Sequence, residues 1–310
     1  MRYARHSSLN IIGKNGQKKL EKSKVCIVGL GATGSRTAEL LARMGVGELI
    51  VIDRDYIELN NLQRQTLYSE EDIGKFKSDI ALIKLKSINS GIKLKSFNLD
   101  IDYENIDVIK SDLVLDCTDN FYTRFLINDY CKKNNIPWIY SSAIRCAGMV
   151  FDIMPKGPCF RCLFNEPTKS LGTCEIEGIL GSLPSAISSI QATEAIKILI
   201  NKDYSKELIY YNAWNNEITK IKINKKKNCL VCNGIYEYLS GNKHNLIKLC
   251  GSNSYQIKGK ISMDRIKNIK YKKINDILQF DDITLMKNGM ALVKANNEKE
   301  AKKKYEKYFG

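Results

Sequence analysis

A glycine-rich segment between two apolar runs places the strongest constraint on how this chain can fold. Residues 25–28 form an apolar, β-branched run that predicts a buried strand, and a second such run covers 49–52. Between them lie three glycines in the spacing Gly-x-Gly-x-x-Gly, followed by a helical pattern from Ser35 to Met44. A strand, a glycine turn, a helix and a strand in this order predict the first unit of an α/β fold with a parallel sheet.

The same segment predicts a nucleotide-binding site. The glycines, which are Gly29, Gly31 and Gly34, let the backbone approach a phosphate closely, and the next helix offers N–H donors at its N-terminus. The second strand ends at Asp53, whose carboxylate is placed to accept a hydrogen bond from a ribose hydroxyl. The motif alone leaves the nucleotide open, and a nicotinamide-dependent oxidoreductase is an alternative.

Composition limits the class of protein. The chain has 310 residues, of which 44% are hydrophobic and 27% are charged, as in ordinary globular proteins. It has no apolar run of membrane-spanning length and no apolar core of a signal peptide near its N-terminus, so we expect a cytoplasmic protein without a membrane partner. Ten cysteines in such a chain predict metal binding or thiol chemistry rather than disulfides.

The positive charge is concentrated toward the C-terminus. The net charge is +15, and residues 218–310 contain 21 Lys and Arg residues against eight Asp and Glu residues. One interpretation is an acidic partner, such as an acidic protein or RNA. The other is a lysine-rich solvated surface, and it is favoured because the lysines are scattered with little aromatic residue between them.

Polar residues follow the second predicted strand. Segment 54–67 is too irregular for a strand, and it includes Asp55, Asn61, Arg64 and Gln65. In parallel α/β sheets, ligands bind at the carboxyl ends of the strands, where this segment is expected. The planar fork of Arg64 could contact a phosphate there.

Two further charged residues stand at the ends of predicted elements. Lys77 lies in the first turn of a helix predicted over 74–88, the unfavourable end of the helix dipole for a cation, so a bound anion would explain it. A surface lysine is the alternative. Asp119 follows the strand predicted at 112–116 and is suited to Mg²⁺ held between phosphates. It could also cap the helix predicted from Phe121 onward.

Two Cys-x-x-Cys pairs predict a zinc site with four thiolate ligands. They are Cys159 with Cys162 and Cys229 with Cys232. Four cysteine ligands leave no open coordination position for water, so we expect a structural site. A redox pair is the alternative; it is disfavoured because neither pair is predicted to open a helix, where the dipole would lower a thiol pKa.

The remaining features concern a loop and the C-terminal part. Segment 164–183 lacks periodicity, and Cys174 within it is either a nucleophile or a structural bystander. Short strand-like runs and an Asn-Gly turn at 288–289 predict a separate small α+β domain after residue 240, ending in a basic helix over 297–309.

Taken together, the motifs resemble the ThiF/MoeB/HesA family of adenylating enzymes, which are similar to ubiquitin-activating enzymes. The resemblance covers residues 1–240. The matching segments, in chain order, are RYARH at 2–6, GLGATG at 29–34, VIDRD at 51–55, NNLQRQTL at 60–67, Lys77, LVLDCTDN at 113–120, PCFRC at 158–162, TCE at 173–175, IQATEAIK at 190–197 and CLVC at 229–232.

The resemblance implies a fold and roles for the matched residues. It implies a Rossmann-like, doubly wound, mostly parallel sheet with an antiparallel extension, a zinc site, a domain over 1–240 and a small α+β domain over 241–310. Arg5 would reach the triphosphate of a neighbouring subunit, which implies a homodimer. Asp53, Asp55, Asn61, Arg64, Gln65 and Lys77 would contact ATP beside the three glycines, Asp119 would hold Mg²⁺, and Cys174 would serve a thioester or persulfide step.

The family's reaction adenylates the C-terminal Gly-Gly carboxylate of a ubiquitin-like β-grasp carrier and releases pyrophosphate. The resemblance therefore implies such a carrier as partner, in thiamine or molybdopterin synthesis, tRNA thiolation or protein conjugation, with a sulfur donor where Cys174 acts in sulfur transfer. The alternative is the same activation coupled to tRNA thiolation, with the basic C-terminal part recruiting RNA. Another is a noncatalytic scaffold, which the presence of Arg64, Lys77 and Asp119 argues against.

Overall fold

The fold is built around one large mixed sheet. The computed structural model describes residues 2–164, 177–241, 247–248, 254–258, 270–274, 277–286 and 290–309. The large sheet has eight strands in the order β3-β2-β1-β4-β5-β6-β7-β8. These strands are β1 (Lys24–Val28), β2 (Glu48–Ile52), β3 (Lys93–Phe97), β4 (Leu113–Asp116), β5 (Trp138–Ile144), β6 (Ala147–Ile153), β7 (Leu208–Asn212) and β8 (Glu217–Ile221).

The sheet is parallel on one side and antiparallel on the other. Strands β1 to β5 pair in parallel, with β1 between β2 and β4. Strands β5 to β8 continue the sheet as antiparallel neighbours. This confirms the predicted Rossmann-like sheet with an antiparallel extension. The central strands β1 and β2 are buried and appear in the sequence as continuous apolar runs, because both faces of the sheet are covered there.

Helices cover both faces of the large sheet. The helices of this part are α1 (Ala4–Ser7), α2 (Gly13–Leu20), α3 (Ala32–Met44), α4 (Lys77–Ile88), α5 (Phe121–Lys133), α6 (Phe160–Leu163) and α7 (Leu183–Leu199). Helices α2, α3, α4 and α7 contribute to one apolar cluster, and α5 contributes to a second with the paired cysteines. Among the described residues, no helix is both long and apolar enough to cross a membrane.

Some predicted boundaries were wrong for identifiable reasons. The apolar pattern of the sequence predicts strands at 137–141 and 144–154, whereas β5 runs to Ile144 and β6 begins at Ala147. The turn between them places Arg145 in the left-handed region with a φ of 53°, which sequence periodicity does not reveal. The short helix that the sequence predicts between β3 and β4 is present as a 3-10 helix over Ile106–Ile109.

The C-terminal part forms a second, antiparallel sheet, called here the C-terminal sheet. Its strand order is β11-β12-β13-β14-β10-β9. The strands are β9 (Ile247–Lys248), β10 (Ser254–Lys258), β11 (Lys272–Ile274), β12 (Ile277–Phe280), β13 (Ile283–Met286) and β14 (Met290–Lys294), and helix α8 (Glu298–Phe309) follows them. The small α+β character and the final helix are as predicted. The sequence predicts strands at 255–257, 283–286 and 290–294, whereas β9, β11 and β12 were not predicted. The Asn-Gly turn at 288–289 lies outside the described residues.

Candidate active site

A deep cleft lies at the carboxyl ends of the parallel strands. Its volume is about 570 Å³. Strands β1, β2 and β4 end here side by side, so the loops that follow them surround one space. The cleft is lined by all the predicted polar residues of this region, namely Asp53, Asp55, Asn61, Arg64, Gln65, Lys77 and Asp119.

The three glycines serve different structural purposes. Gly29 has a φ of +90°, and a Cβ there would lie 2.6 Å from the carbonyl oxygen of Cys117. A Cβ on Gly34 would lie 1.9 Å from the carbonyl oxygen of Gly29, so the close packing of helix α3 on β1 requires glycine. A Cβ on Gly31 would meet no protein atom closer than 3.9 Å. Packing therefore does not explain Gly31, which precedes α3 and leaves its first N–H groups open to the cleft.

Asp53 is buried at the end of β2 and fixed by two backbone donors. The N–H groups of Leu30 and Asp55 donate to its two carboxylate oxygens at 2.5 Å and 2.7 Å. Burial raises the pKa of the Asp53 carboxyl to about 6, although the neighbouring Lys77 acts in the opposite direction. The carboxylate is thereby held between the glycine turn and the next loop, in the position expected of a ribose ligand.

Lys77 is a buried cation at the N-terminus of α4. It is the first residue of that helix and is 6% exposed, so it is not a surface lysine. Its Nζ lies 3.3 Å from Oδ2 of Asp55. Burial lowers the pKa of Lys77, but the carboxylates of Asp55, Asp53 and Asp119 outweigh it and raise this pKa above its usual value. Lys77 therefore remains protonated in the cleft.

The loop after β2 supplies an amide and a guanidinium. Asn61 is buried and accepts a hydrogen bond from the N–H of Glu58 at 3.2 Å, which orients its side chain. Arg64 is half-buried and donates to the carbonyl oxygen of Asn60 at 2.9 Å. Gln65 is buried, and within the described part of the chain its Oε1 has no hydrogen-bond partner. An unsatisfied buried oxygen is costly, so a ligand donor or water is expected beside it.

Asp119 lines the cleft and does not cap helix α5. Helix α5 is capped by Asn120, whose side chain accepts the N–H of Thr123 at 2.8 Å. The expectation that Asp119 could cap this helix was therefore wrong. Asp119 is exposed in the cleft, and its charge helps to raise the pKa of both Arg54 and Lys77. Its carboxylate is a hard oxygen donor of the kind that Mg²⁺ prefers.

The structure adds two arginines that sequence reasoning had not assigned to the site. Arg54 Nη1 lies 2.7 Å from Oδ1 of Asp100, and Arg124 Nε lies 3.2 Å from Oδ2 of Asp116. Both side chains line the cleft. Arg54 stands within the VIDRD segment, so its position was available, but its partner lies 46 residues later in the chain. Nothing in the periodicity of α5 distinguishes Arg124 from a surface residue.

The structure leaves two predicted roles untested, those of Arg5 and Cys174. Arg5 is exposed on the short helix α1 and is not among the residues that line the cleft, so its role at a neighbouring subunit stays a prediction. Cys174 lies outside the described residues, and its predicted role is neither supported nor contradicted by the structure.

The four paired cysteines meet in one cluster. Their Sγ atoms lie within 4.8 Å of one another. Three of the separations are 3.8 Å (Cys159 to Cys162), 3.4 Å (Cys159 to Cys229) and 3.6 Å (Cys162 to Cys232). A regular tetrahedron around zinc, with Zn–S bonds of about 2.3 Å, has S–S edges of about 3.8 Å. The cluster therefore has the size and chemistry of a four-thiolate metal site.

The prediction that neither cysteine pair opens a helix was wrong. Cys159 is the N-cap of helix α6, so the first pair does open a short helix. The hydrogen bond from Cys159 lowers the pKa of the Cys162 thiol to about 4, and the N–H of Lys226 donates to the same sulfur at 3.4 Å. A metal site is supported instead because Cys229 and Cys232 lie beside Cys159 and Cys162, whereas a redox pair would need only two cysteines.

Comparison with known proteins agrees with this geometry. The ThiF family matches residues 3–231 of the chain. The SAMP-activating enzyme E1 of Haloferax volcanii is 35% identical over 237 residues, which is 74% of this chain and 88% of that protein. The sulfur carrier protein ThiS adenylyltransferase of Bacillus subtilis is 35% identical over 272 residues, 85% of this chain and 81% of that protein. Because 85% of the 310 residues is more than 240, this alignment extends into the C-terminal part of the chain.

Solved structures show the same fold. The crystal structure of E. coli MccB with ATP superposes with a TM-score of 0.66 at 26% identity, covering 75% of this chain and 73% of that chain. The similarity in sequence to adenylyltransferases over most of the chain favours that activity over the nicotinamide oxidoreductase alternative. The chain therefore belongs to the ThiF family and is an adenylyltransferase.

Proposed function

We propose that the chain uses ATP and Mg²⁺ to adenylate the C-terminal Gly-Gly carboxylate of a ubiquitin-like β-grasp carrier. The observation that carries this proposal is the buried, protonated Lys77, which faces the same cleft as the open N-terminus of α3. Asp55 is the protein partner of this cation, and a phosphate bound in the cleft would add a second anion at the favourable end of the α4 dipole. The names of the relatives support a sulfur carrier or SAMP-type protein as the acceptor.

The chemistry proposed for the cleft needs charge neutralisation rather than a general base. An oxygen of the carrier carboxylate attacks the α-phosphorus, the bond from that phosphorus to the bridging oxygen breaks, and pyrophosphate leaves with the electron pair. The carboxylate is already ionised at neutral pH. Lys77 and Arg64 would lower the repulsion between the two anions and stabilise the leaving group, while Asp53 would hold the ribose.

We assign the magnesium ion to Asp119 and the zinc ion to the four cysteines. The exposed carboxylate of Asp119 fits a hard cation, which would neutralise phosphate charge during the displacement. Cys159, Cys162, Cys229 and Cys232 fit zinc in a structural role, joining the end of β6 to the chain that follows β8. In the same proposal, residues 1–240 form the adenylation domain and residues 241–310 a separate small domain.

Two further parts of the proposal concern Arg5 and Cys174. Exposed Arg5 would complete the triphosphate site of a second copy, so the active form would be a homodimer. Cys174 would accept the activated acyl group as a thioester, with AMP leaving, or take part in sulfur transfer. If Cys174→Ser leaves both adenylation and the formation of thiocarboxylate or conjugate at the parent level, this role is excluded.

ATP–pyrophosphate exchange tests the proposal directly. We expect exchange when the chain is incubated with ATP, Mg²⁺ and a Gly-Gly carrier from the same cell, and no exchange with the Asp119→Ala variant. Asp203→Ala is the matched control, since Asp203 is also exposed but lies outside the cleft. Absence of exchange with every β-grasp carrier of that cell would refute the proposed function.

A further inference from the structure

The C-terminal sheet presents one covered face and one face toward the cleft. Along β12, β13 and β14, the residues that alternate inward are buried, as Phe280, Leu285 and Val293 illustrate. They form an apolar cluster with aromatic residues of helix α8, such as Tyr305. In a β-strand the intervening residues must point to the opposite face. That opposite face is therefore not occupied by α8.

The intervening residues form a continuous row across three strands. Gln279 of β12 pairs with Thr284 of β13, and Thr284 pairs with Leu292 of β14. All three line the cleft that contains Asp53 and Lys77. Because paired residues project from the same face, the row is one surface of the sheet rather than three accidental contacts.

A direct contact joins this row to the nucleotide side of the cleft. Gln279 is hydrogen-bonded to the side chain of Tyr56, which follows Asp55 in the loop after β2. Lys294 lies two residues beyond Leu292 on the same face and also lines the cleft. Its side chain is exposed, so it adds a positive charge at the open side. Arg64 and Lys77 line the same cleft.

We propose that this face of the C-terminal sheet is a wall of the nucleotide site and that Lys294 contributes a cation to the bound triphosphate. The inference rests on the proposed nucleotide site and extends it to a part of the chain that the glycine motif does not include. Strands β12 to β14 would thus place polar and charged groups beside a ligand that the loops of the large sheet also contact. Partial enclosure of the cleft also limits the access of water to the reactive phosphate.

Nucleotide affinity of the full chain tests this inference. The probe is a non-hydrolysable ATP analogue with Mg²⁺, titrated by calorimetry without any carrier. Removing one exposed charge near the triphosphate weakens binding modestly, so we expect the dissociation constant to rise about threefold in Lys294→Gln and about tenfold in Lys294→Glu. These differences should shrink as salt is added, because exposed charges are screened.

A matched control separates a local effect from a change in overall charge. Lys303 is exposed on helix α8, which packs on the other face of the C-terminal sheet, and it does not line the cleft. Lys303→Glu makes the same change in net charge and should leave the affinity unchanged. Hydrogen exchange gives a second readout, with protection of residues 277–286 and 290–294 expected when the analogue binds.

The outcomes distinguish this inference from the proposed function. If the parent chain binds the analogue but adenylates no carrier, the proposed function fails and the Lys294 comparison still stands. If the parent chain adenylates a carrier while Lys294→Glu binds the analogue like the parent, the inference is overturned. A defect confined to the affinity for the carrier would overturn it as well, since it would place Lys294 at a protein interface.

Discussion

Replacing Lys77 by glutamine tests the electrostatic basis of the cleft most directly. Lys77 is a buried cation of the cleft, and its Nζ lies 3.3 Å from Oδ2 of Asp55. Removing one preorganised contact to a developing negative charge typically costs about 2.7–4 kcal/mol, which is about 10²–10³-fold in rate. We therefore expect Lys77→Gln to lower kcat for adenylation by about two to three orders of magnitude.

The same substitution has a smaller effect on the free energy of unfolding. At 3.3 Å and an effective dielectric constant of about 20, Coulomb's law gives about 5 kcal/mol for the pair. The Asp55 side chain is 47% exposed, however, and burial of the ammonium group opposes the attraction. We expect a net loss of about 1–2 kcal/mol, which leaves a folded protein whose activity can be measured.

The assay is ATP–pyrophosphate exchange over a range of ATP concentrations, together with thermal unfolding. Lys86→Gln is the matched control, because Lys86 is exposed in the last turn of the same helix. A change in KM alone would indicate that Lys77 binds ATP equally in the ground and transition states. A folded Lys77→Gln variant with less than a tenfold loss of kcat/KM would refute the reasoning.

Three further predictions follow from the same geometry. Gly31→Ala should fold normally but weaken binding of the ATP analogue. Gly34→Ala should lower the unfolding temperature, because the new Cβ at position 34 would lie 1.9 Å from a backbone oxygen. Equal unfolding temperatures of the two variants would contradict this prediction. Analogue affinity should fall as the pH decreases through about 6, because Asp53 then becomes protonated. The free energy of unfolding should instead rise as the pH falls from about 6 to 3.8, because in this range the folded state binds a proton that the unfolded state does not. Asp53→Asn should remove both effects, as measured by calorimetry and by melting at each pH. Cys162→Ser should contain less zinc by elemental analysis and unfold at a lower temperature. Cys146→Ser, which changes a cysteine outside the cluster, should keep its zinc. Full zinc content in Cys162→Ser would exclude the four-cysteine site.

The sequence by itself determined the central part of the fold and the identity of most cleft residues. Strands β1, β2 and β4 were predictable because both faces are covered, so buried positions appear as uninterrupted apolar runs. The glycine spacing was equally informative, since Gly29 and Gly34 are required by backbone contacts over short distances along the chain and across to Cys117. Parallel pairing then brought Asp53 and Asp119 to one edge.

Only the tertiary structure decided which partners each side chain has. The alternatives for Lys77 and Asp119 differed in burial and in capping geometry, and neither property is encoded in local periodicity. Arg54 pairs with Asp100 and Arg124 faces the cleft through contacts between separate elements, so no single segment contains their signal. The row of cleft-facing residues in the C-terminal sheet could not be predicted from the sequence either. Its strands are short, and the side of a sheet that meets another part of the protein depends on long-range packing rather than on alternation alone.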